Sequence, residues 1–400
     1  MNAPLPLAEA QARLLALAVP LPIERIPVED ALGRYLAEPL IARRTQPPAD
    51  LSAMDGYAMR SADLPGPWRV VGESAAGHPY AGAVGVRDAV RIATGALLPA
   101  GADMVLMQED AAHNGDVLTL TGEPPMPPTK HVRSAGQDFT EGRELLLSGA
   151  RLGPAQLALA LAGGHQWLAV RRRPKVVVID SGDELAADPE LCAVHQIPAS
   201  NGVMLAALTA ALPCDVRRIG PMADRLDAIT AALEAASDAD LVVSSGGASV
   251  GDHDLIRPAL EAWGATLDFW RVAIKPGKPL LVARKGGALV LGLPGNPVSS
   301  YVTAYFFLLP LLRALLGASS PLPRATRAVL AADLPAGGPR QEYLRAYWDG
   351  EMVVPRSIQD SGALASLAAS NALIERAANA PANPAGTRVS IYLLENGGIA

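Results

Sequence analysis

Between Lys175 and Val298 the sequence alternates between two periods, and that alternation limits the fold more than any other feature. Val176-Val177-Val178-Ile179, Leu241-Val242-Val243 and Ala288-Leu289-Val290-Leu291 are short apolar runs with many β-branched residues, the pattern of buried strands. Residues 221–237 set Leu226, Ile229 and Leu233 on one helical face, and further helices are expected after Asp254 and from Val298. Such alternation predicts a parallel sheet with helices on both faces, whose ligand loops gather at the C-terminal ends of the strands. The loops carrying Glu184, Asp252, Asp254 and Asn296 should therefore converge.

One of these loops concentrates the chemistry. Residues 244–254 read SSGGASVGDHD, between a buried strand and a helix start. Backbone N–H groups in such a loop, with Ser245, Gly246 and Gly247 among them, suit an anion. Asp252 and Asp254 bring carboxylates to the same place, a combination that fits a metal ion between protein and anion. Lys275 and Lys278 flank Pro276-Gly277, and two like charges held this close are unfavourable unless an anion joins them. Together these point to a phosphorylated ligand held with a hard divalent cation such as magnesium. The sequence has no GxxxxGK[ST] and no GxGxxG, which excludes the P-loop and Rossmann readings. His253 belongs to no readable Ser-His-Asp arrangement and is taken as a loop or surface histidine.

The flanking sequence changes character twice. Residues 5–18 form an amphipathic helical pattern, and residues 28–40 read as a second short helical stretch. Residues 49–128, rich in Gly, Pro and short β-branched runs, read as a β insertion, with strands expected at 68–71, 89–92 and 116–120. An apolar helix is expected over 152–169, packed beside the N-terminal helices, so that one domain is split around the insertion. After Pro321-Leu322-Pro323, residues 327–331, 343–348, 352–354 and 389–394 read as strands of a small barrel. The expected domains are 1–48 with 129–173, then 49–128, 174–319 and 320–400.

Composition narrows the function. A net charge of -6 argues against a nucleic-acid partner. Cys192 and Cys214 form no CxxC pair, six histidines include no HExxH, and no signal peptide is readable, all of which fit a cytoplasmic protein. The most apolar stretch, residues 301–317, contains Pro310 and Arg313 and is expected to be buried in the protein or in a subunit interface rather than in a membrane.

Six motifs taken together resemble the molybdopterin molybdenumtransferases, the MoeA family that includes the gephyrin E domain. They are SAMDGYA at 52–58, TGALLPAGAD at 94–103, GDEL at 182–185, SGGASVGDHD at 245–254, KPGKP at 275–279 and GLPGNP at 292–297. Each is weak alone; six in this order and spacing, across nearly the whole chain, are specific. The resemblance implies an α/β multidomain protein. It has a MogA-like parallel α/β domain, a split elongated N-terminal domain, a β insertion and a C-terminal β-barrel.

The resemblance further implies a homodimer whose cleft joins the α/β domain of one chain to the β insertion of the other. The implied reaction converts adenylyl-molybdopterin and molybdate into molybdenum cofactor and AMP, with magnesium. A molybdopterin adenylyltransferase and molybdoenzyme apoproteins are the implied further partners. Asp55, Thr94, Asp138, Glu184, Asp224, Asp254, Arg271, Lys275 and Ser366 fall where the family has functional residues. Glu184, Asp224, Asp252 and Asp254 would hold magnesium or position phosphate, and Lys275 and Lys278 would neutralise phosphate or molybdate. Asp55 and Asp138 would close the cleft from the other chain, and Pro294 and Asn296 would contact substrate. Four positions depart from the family pattern: Arg271 replaces a usual lysine, Gln137 and Asp252 usual glutamates, and Asp180 a small hydroxyl residue. Two rival functions are adenylylation of molybdopterin from ATP and a non-catalytic dimeric scaffold.

Overall fold

The computed structural model describes residues 4–246 and 255–394. Its centre is a six-stranded sheet in the order Asp215–Met222, Lys175–Ser181, Leu241–Ser245, Ala288–Leu293, Pro279–Lys285, Thr266–Arg271. The first four strands are parallel. The last two are antiparallel, which departs from the all-parallel expectation. Only Gly286 and Gly287 separate Pro279–Lys285 from Ala288–Leu293, enough for a hairpin and far too few for a parallel crossover.

Alternation along each strand feeds two cores. Val176, Val178, Leu241, Val243, Leu289 and Leu291 face Leu205 and Val302, on the side of helices Ser200–Ala210 and Pro297–Thr303. Val177, Ile179, Val242 and Val290 face Ile229, Leu233, Ile256 and Leu260, on helices Leu226–Ala235 and Ile256–Ala262. Burying an aliphatic side chain of this size is worth roughly 1.5–3 kcal/mol relative to exposure.

The helical run Pro297–Leu315 is long and apolar enough to cross a membrane by length and composition, but 83% of its most apolar window is buried inside the protein. Residues Ala304–Leu308 form a π turn within it. The amide of Gln11, itself buried, donates to the carbonyl of Phe306 in that turn at 2.9 Å. Gln11 belongs to the N-terminal helix Leu7–Leu15, whose Leu7, Ala10 and Leu14 join the core of the α/β domain.

The split segment is a ladder of short antiparallel pairs. Ile23–Pro27 pairs with Trp167–Arg171, Leu40–Ile41 with Glu144–Leu146, and Leu51–Ser52 with Val132–Arg133. The chain climbs one rail and returns down the other. The helix expected over residues 28–40 is absent: a 3-10 turn ends at Asp30, and Gly33 and Leu36 donate to Leu152 and Ala150 on the returning rail. The expected 152–169 helix is shorter, Pro154–Ala162, followed by the strand Trp167–Arg171. It packs against Val28, Ala31, Leu36 and Leu40.

At the top of the ladder lies a six-stranded sheet. Its order is Met104–Met107, Gly56–Met59, Asp88–Ile92, Trp68–Ser74, Val117–Leu120, Ala111–Asn114. Strand Gly56–Met59 is buried throughout between two antiparallel neighbours. The C-terminal strands Gln341–Trp348, Met352–Pro355, Thr326–Leu330, Arg388–Leu393 and Ala372–Arg376 close into a five-stranded barrel. A sixth strand, Ile274–Lys275 from the α/β domain, pairs in parallel with Gln341–Glu342 on its edge.

A Cβ on Gly56 would lie 2.0 Å from the carbonyl oxygen of Leu106, so this position requires glycine. Gly56→Ala should cost about 3 kcal/mol, the upper end of overpacking penalties, and lower the first urea-unfolding midpoint. A neighbouring Ala58→Gly control, which adds no bulk, should cost roughly 1 kcal/mol.

Candidate functional site

At the C-terminal edge of the parallel strands lies a cavity of about 840 Å³, walled on one side by the α/β domain and on the other by the barrel. Its floor comes from Ser181, Glu184, Asp224, Gly246, Pro294 and Asn296. Lys275 and Lys278 enter from the turn before Pro279–Lys285; Arg340, Tyr343, Gln359, Asp360 and Ser361 come from the barrel side. Of the loops expected to converge, those of Glu184 and Asn296 meet here, and Asp224, Gly246, Lys275, Lys278 and Pro294 line the same cavity. Gly247, Asp252, His253 and Asp254 lie outside the described residues.

The acidic side is built by two loops tied together. The Asp224 N–H donates to the Asp183 carboxylate at 3.0 Å. Burial raises the Asp224 pKa above the ordinary carboxylate range, and the nearby charges of Glu184 and Asp183 push it further, against a hydrogen bond from Ser181. These acids repel one another, an arrangement that suits a bound cation. No group of three or more His, Cys, Asp or Glu side chains able to hold a metal ion occurs among the described residues.

Beneath this loop, Asp180 is 1% exposed. Arg218 donates to its Oδ2 at 3.1 Å, the Gly202 N–H supplies a second bond, and Oδ1 has no partner. Burial is the main reason its pKa is raised. A Cβ at position 202 would sit 1.6 Å from Oδ2, so glycine there is what admits the larger acid.

The basic side differs from expectation. The Lys275 ammonium donates to Glu342 at 3.1 Å, and Glu342 also lies 3.6 Å from Arg376. Glu342 is shared between these two cations, so Lys275, Glu342 and Arg376 together keep one net positive charge beside Lys278. Lys278 is exposed and has no carboxylate partner among the described residues. Arg271 does not line the cavity; its carbonyl accepts the Leu5 N–H at 2.7 Å. Ser245 is buried in its strand, beside rather than within the cavity wall.

The substrate-side loop is clamped from both directions. Asn201 donates to the Gly295 carbonyl at 2.6 Å, and Asn296 donates to the Ser361 hydroxyl at 3.0 Å. Ser366 does not line the cavity. It donates to the Ile358 carbonyl at 2.8 Å and accepts from Arg345 Nε at 3.3 Å. Arg345, fully buried, also donates to the carbonyls of Ile358 and Asp360, both at 2.9 Å. Ser366 and Arg345 thus hold the loop that presents Gln359, Asp360 and Ser361. Arg345, Asn201 and the barrel residues carry no motif of their own, and only the structure reveals them.

Asp55, Thr94 and Asp138 are exposed and line no part of this cavity within the chain. Asp55 and Thr94 form one unit: the Asp55 carboxylate accepts the Thr94 N–H at 2.6 Å and its hydroxyl at 2.9 Å. Those two bonds, the backbone one first, lower the Asp55 pKa.

Residues 5–164 match the MoeA N-terminal region (domain I and II), and residues 177–314 match a probable molybdopterin binding domain. Residues 327–394 match the MoeA C-terminal region (domain IV). These three regions in this order, the second and third walling one cavity, define a class of molybdopterin-handling proteins. The chain belongs to the MoeA family. It is 38% identical over 317 residues to a molybdopterin molybdenumtransferase of Haemophilus influenzae, covering 78% of each chain. With the molybdopterin molybdenumtransferase of Staphylococcus aureus it shares 31% identity over 405 residues, 98% of this chain and 96% of the relative. A crystal structure of the molybdopterin biosynthesis MoeA protein of Pyrococcus horikoshii superposes with a TM-score of 0.84 at 28% identity. It covers 98% of this chain and all of that one (100%).

Arg345→Leu should remove the donors to two loop carbonyls and cost about 1–3 kcal/mol, read as a lower thermal midpoint and faster hydrogen exchange at residues 358–361. For Asp224 the sign follows from its raised pKa. Below the ordinary value of 3.8 both folded and unfolded states hold the proton; above it the unfolded chain releases its proton first. Folding then loses stability as pH rises from 3.8 through the raised value. In chelator, Asp224→Asn should be most nearly matched by the wild-type protein at low pH and gain on it across that window.

Proposed function

We propose that this chain is a molybdenum insertase, which takes adenylyl-molybdopterin and molybdate and releases molybdenum cofactor and AMP with magnesium. The observation that carries the reading is one cavity in which Glu184 and Asp224 face Lys278 and Arg340. Such a cavity can take a phosphorylated ligand with its cation on the acidic side and its remaining anionic groups on the basic side.

In this reading Glu184 and Asp224 would hold magnesium, with Asp252 and Asp254 as further ligands. The metal supplies charge neutralisation at the phosphoanhydride when bound. Lys278 and Arg340 stabilise the anionic oxygens as water adds to the adenylyl phosphorus, the phosphoanhydride bond breaks with the molybdopterin phosphate as leaving group, and AMP is released. Lys275, held by Glu342, positions the Pro276-Gly277 turn and orients Lys278. The clamped Pro294-Gly295-Asn296 loop orients the substrate, with the Gly246 backbone beside it.

The protein acts as a homodimer in the cytoplasm on this reading. Asp55, Thr94 and Asp138 of one subunit face the cavity of the other and orient pterin or incoming molybdate. The Thr94 bonds favour the Asp55 carboxylate form, ready to act as an acceptor.

Purified protein incubated with adenylyl-molybdopterin, molybdate and magnesium should release AMP and yield active cofactor. Glu184→Ala should lower AMP release by about 100-fold or more while the oligomer elutes unchanged. AMP release by the variant at the wild-type rate would reject the role of Glu184. Adenylylation of molybdopterin from ATP by the wild-type protein would replace the proposed reaction with the rival transferase activity, and neither activity would leave the scaffold.

A further inference from the structure

A second hollow, of about 390 Å³, lies where the long helix ends and the chain crosses toward the barrel. Three arginines line it: Arg151 from the returning rail of the ladder, Arg313 from the last turn of the helix, and Arg324 from the crossing segment. No carboxylate lines it among the described residues. Several other arginines of this acidic chain are paired: Arg69 with Asp88, Arg172 with Asp240, Arg217 with Asp238 and Arg218 with Asp180. Arg151 and Arg324 are exposed and have no ion-pair partner among the described residues. Arg313 spends one donor on the carbonyl of Pro321 at 3.2 Å.

Backbone contact fixes the hollow's shape. A Cβ on Gly149 would lie 2.6 Å from the Ser319 nitrogen, so the ladder and the crossing segment touch directly behind the arginines. The Ser319 N–H donates to the Gly149 carbonyl at 3.3 Å. Three guanidinium groups drawn from three elements, with no acid between them among the described residues, repel one another in the absence of a ligand. Guanidinium groups are suited to phosphate because their planar N–H forks match two of its oxygens.

We propose that this hollow is a second anion site that takes a compact phosphate-bearing ligand, either inorganic pyrophosphate or the phosphates of a nucleotide. Its occupant bridges the ladder to the segment leading into the barrel. The site is separate from the cavity containing Glu184, with which it shares no lining residue.

Calorimetric titration of the full chain with inorganic pyrophosphate at low salt tests this, with adenosine diphosphate as a second arm to separate the two ligand sources. R151Q/R324Q, two exposed changes, should weaken one binding event by about ten-fold. K278Q, in the main cavity, should leave that event intact. Pyrophosphate should also slow hydrogen exchange at residues 149–151 and 318–324 in the wild-type protein only. The proposal is overturned if the wild-type protein binds neither ligand, or if R151Q/R324Q binds as tightly as wild type. It is likewise overturned if the double variant loses its oligomeric mass, which would make these arginines subunit contacts. Loss of AMP release with this site intact would count against the proposed reaction alone.

Discussion

The main cavity depends on two residues leaving one sheet for another. Ile274 and Lys275 depart from the α/β domain and pair along Gln341 and Glu342 on the barrel edge. Strand pairing satisfies backbone groups at a fixed spacing, so it sets the barrel's position against the parallel strands more firmly than side-chain packing could. The Lys275–Glu342 ion pair lies at the same register, with Arg376 behind it. Glu342 is 7% exposed; without these two cations its charge would be buried alone, so the join is also where polar burial is compensated.

That join explains why the cavity has distinct electrostatic sides. The parallel strands deliver acids on short loops, where Ser181, Asp183 and Asp224 are linked by hydrogen bonds. The barrel side brings Arg340 and the loop held by the buried Arg345. Neither wall encloses a ligand by itself. A protein with only the α/β domain would have the acidic floor and an open edge, which gives the barrel a physical reason to be present.

Much of this was legible in the sequence because it is local. Strand runs such as Val176–Ile179 announce themselves by composition, and glycine-acid loops mark strand ends. The pairing partners are not local. Residues 28–40 have helical spacing, but Gly33 and Leu36 find their hydrogen-bond partners at Leu152 and Ala150, more than a hundred positions away. The barrel's share of the site was equally hidden, since Glu342 becomes meaningful only once it faces Lys275. The antiparallel edge of the central sheet, by contrast, could have been read from Gly286-Gly287, a link too short for any crossover. Arg271, singled out by the family resemblance, ends a strand, and its carbonyl is taken by Leu5.

The π turn at Ala304–Leu308 sets the angular phase of everything after it on the long helix. One residue corresponds to about 100° of rotation in an α-helix. Closing that turn to regular α geometry would swing Leu309–Leu315 about its own axis, carrying Leu311 and Leu312 out of the core and Arg313 away from the arginine-lined hollow. The Gln11 amide, spent on the Phe306 carbonyl, acts as a pin against that rotation. The amino-terminal helix is thereby a clock setting for a surface more than three hundred residues along the chain.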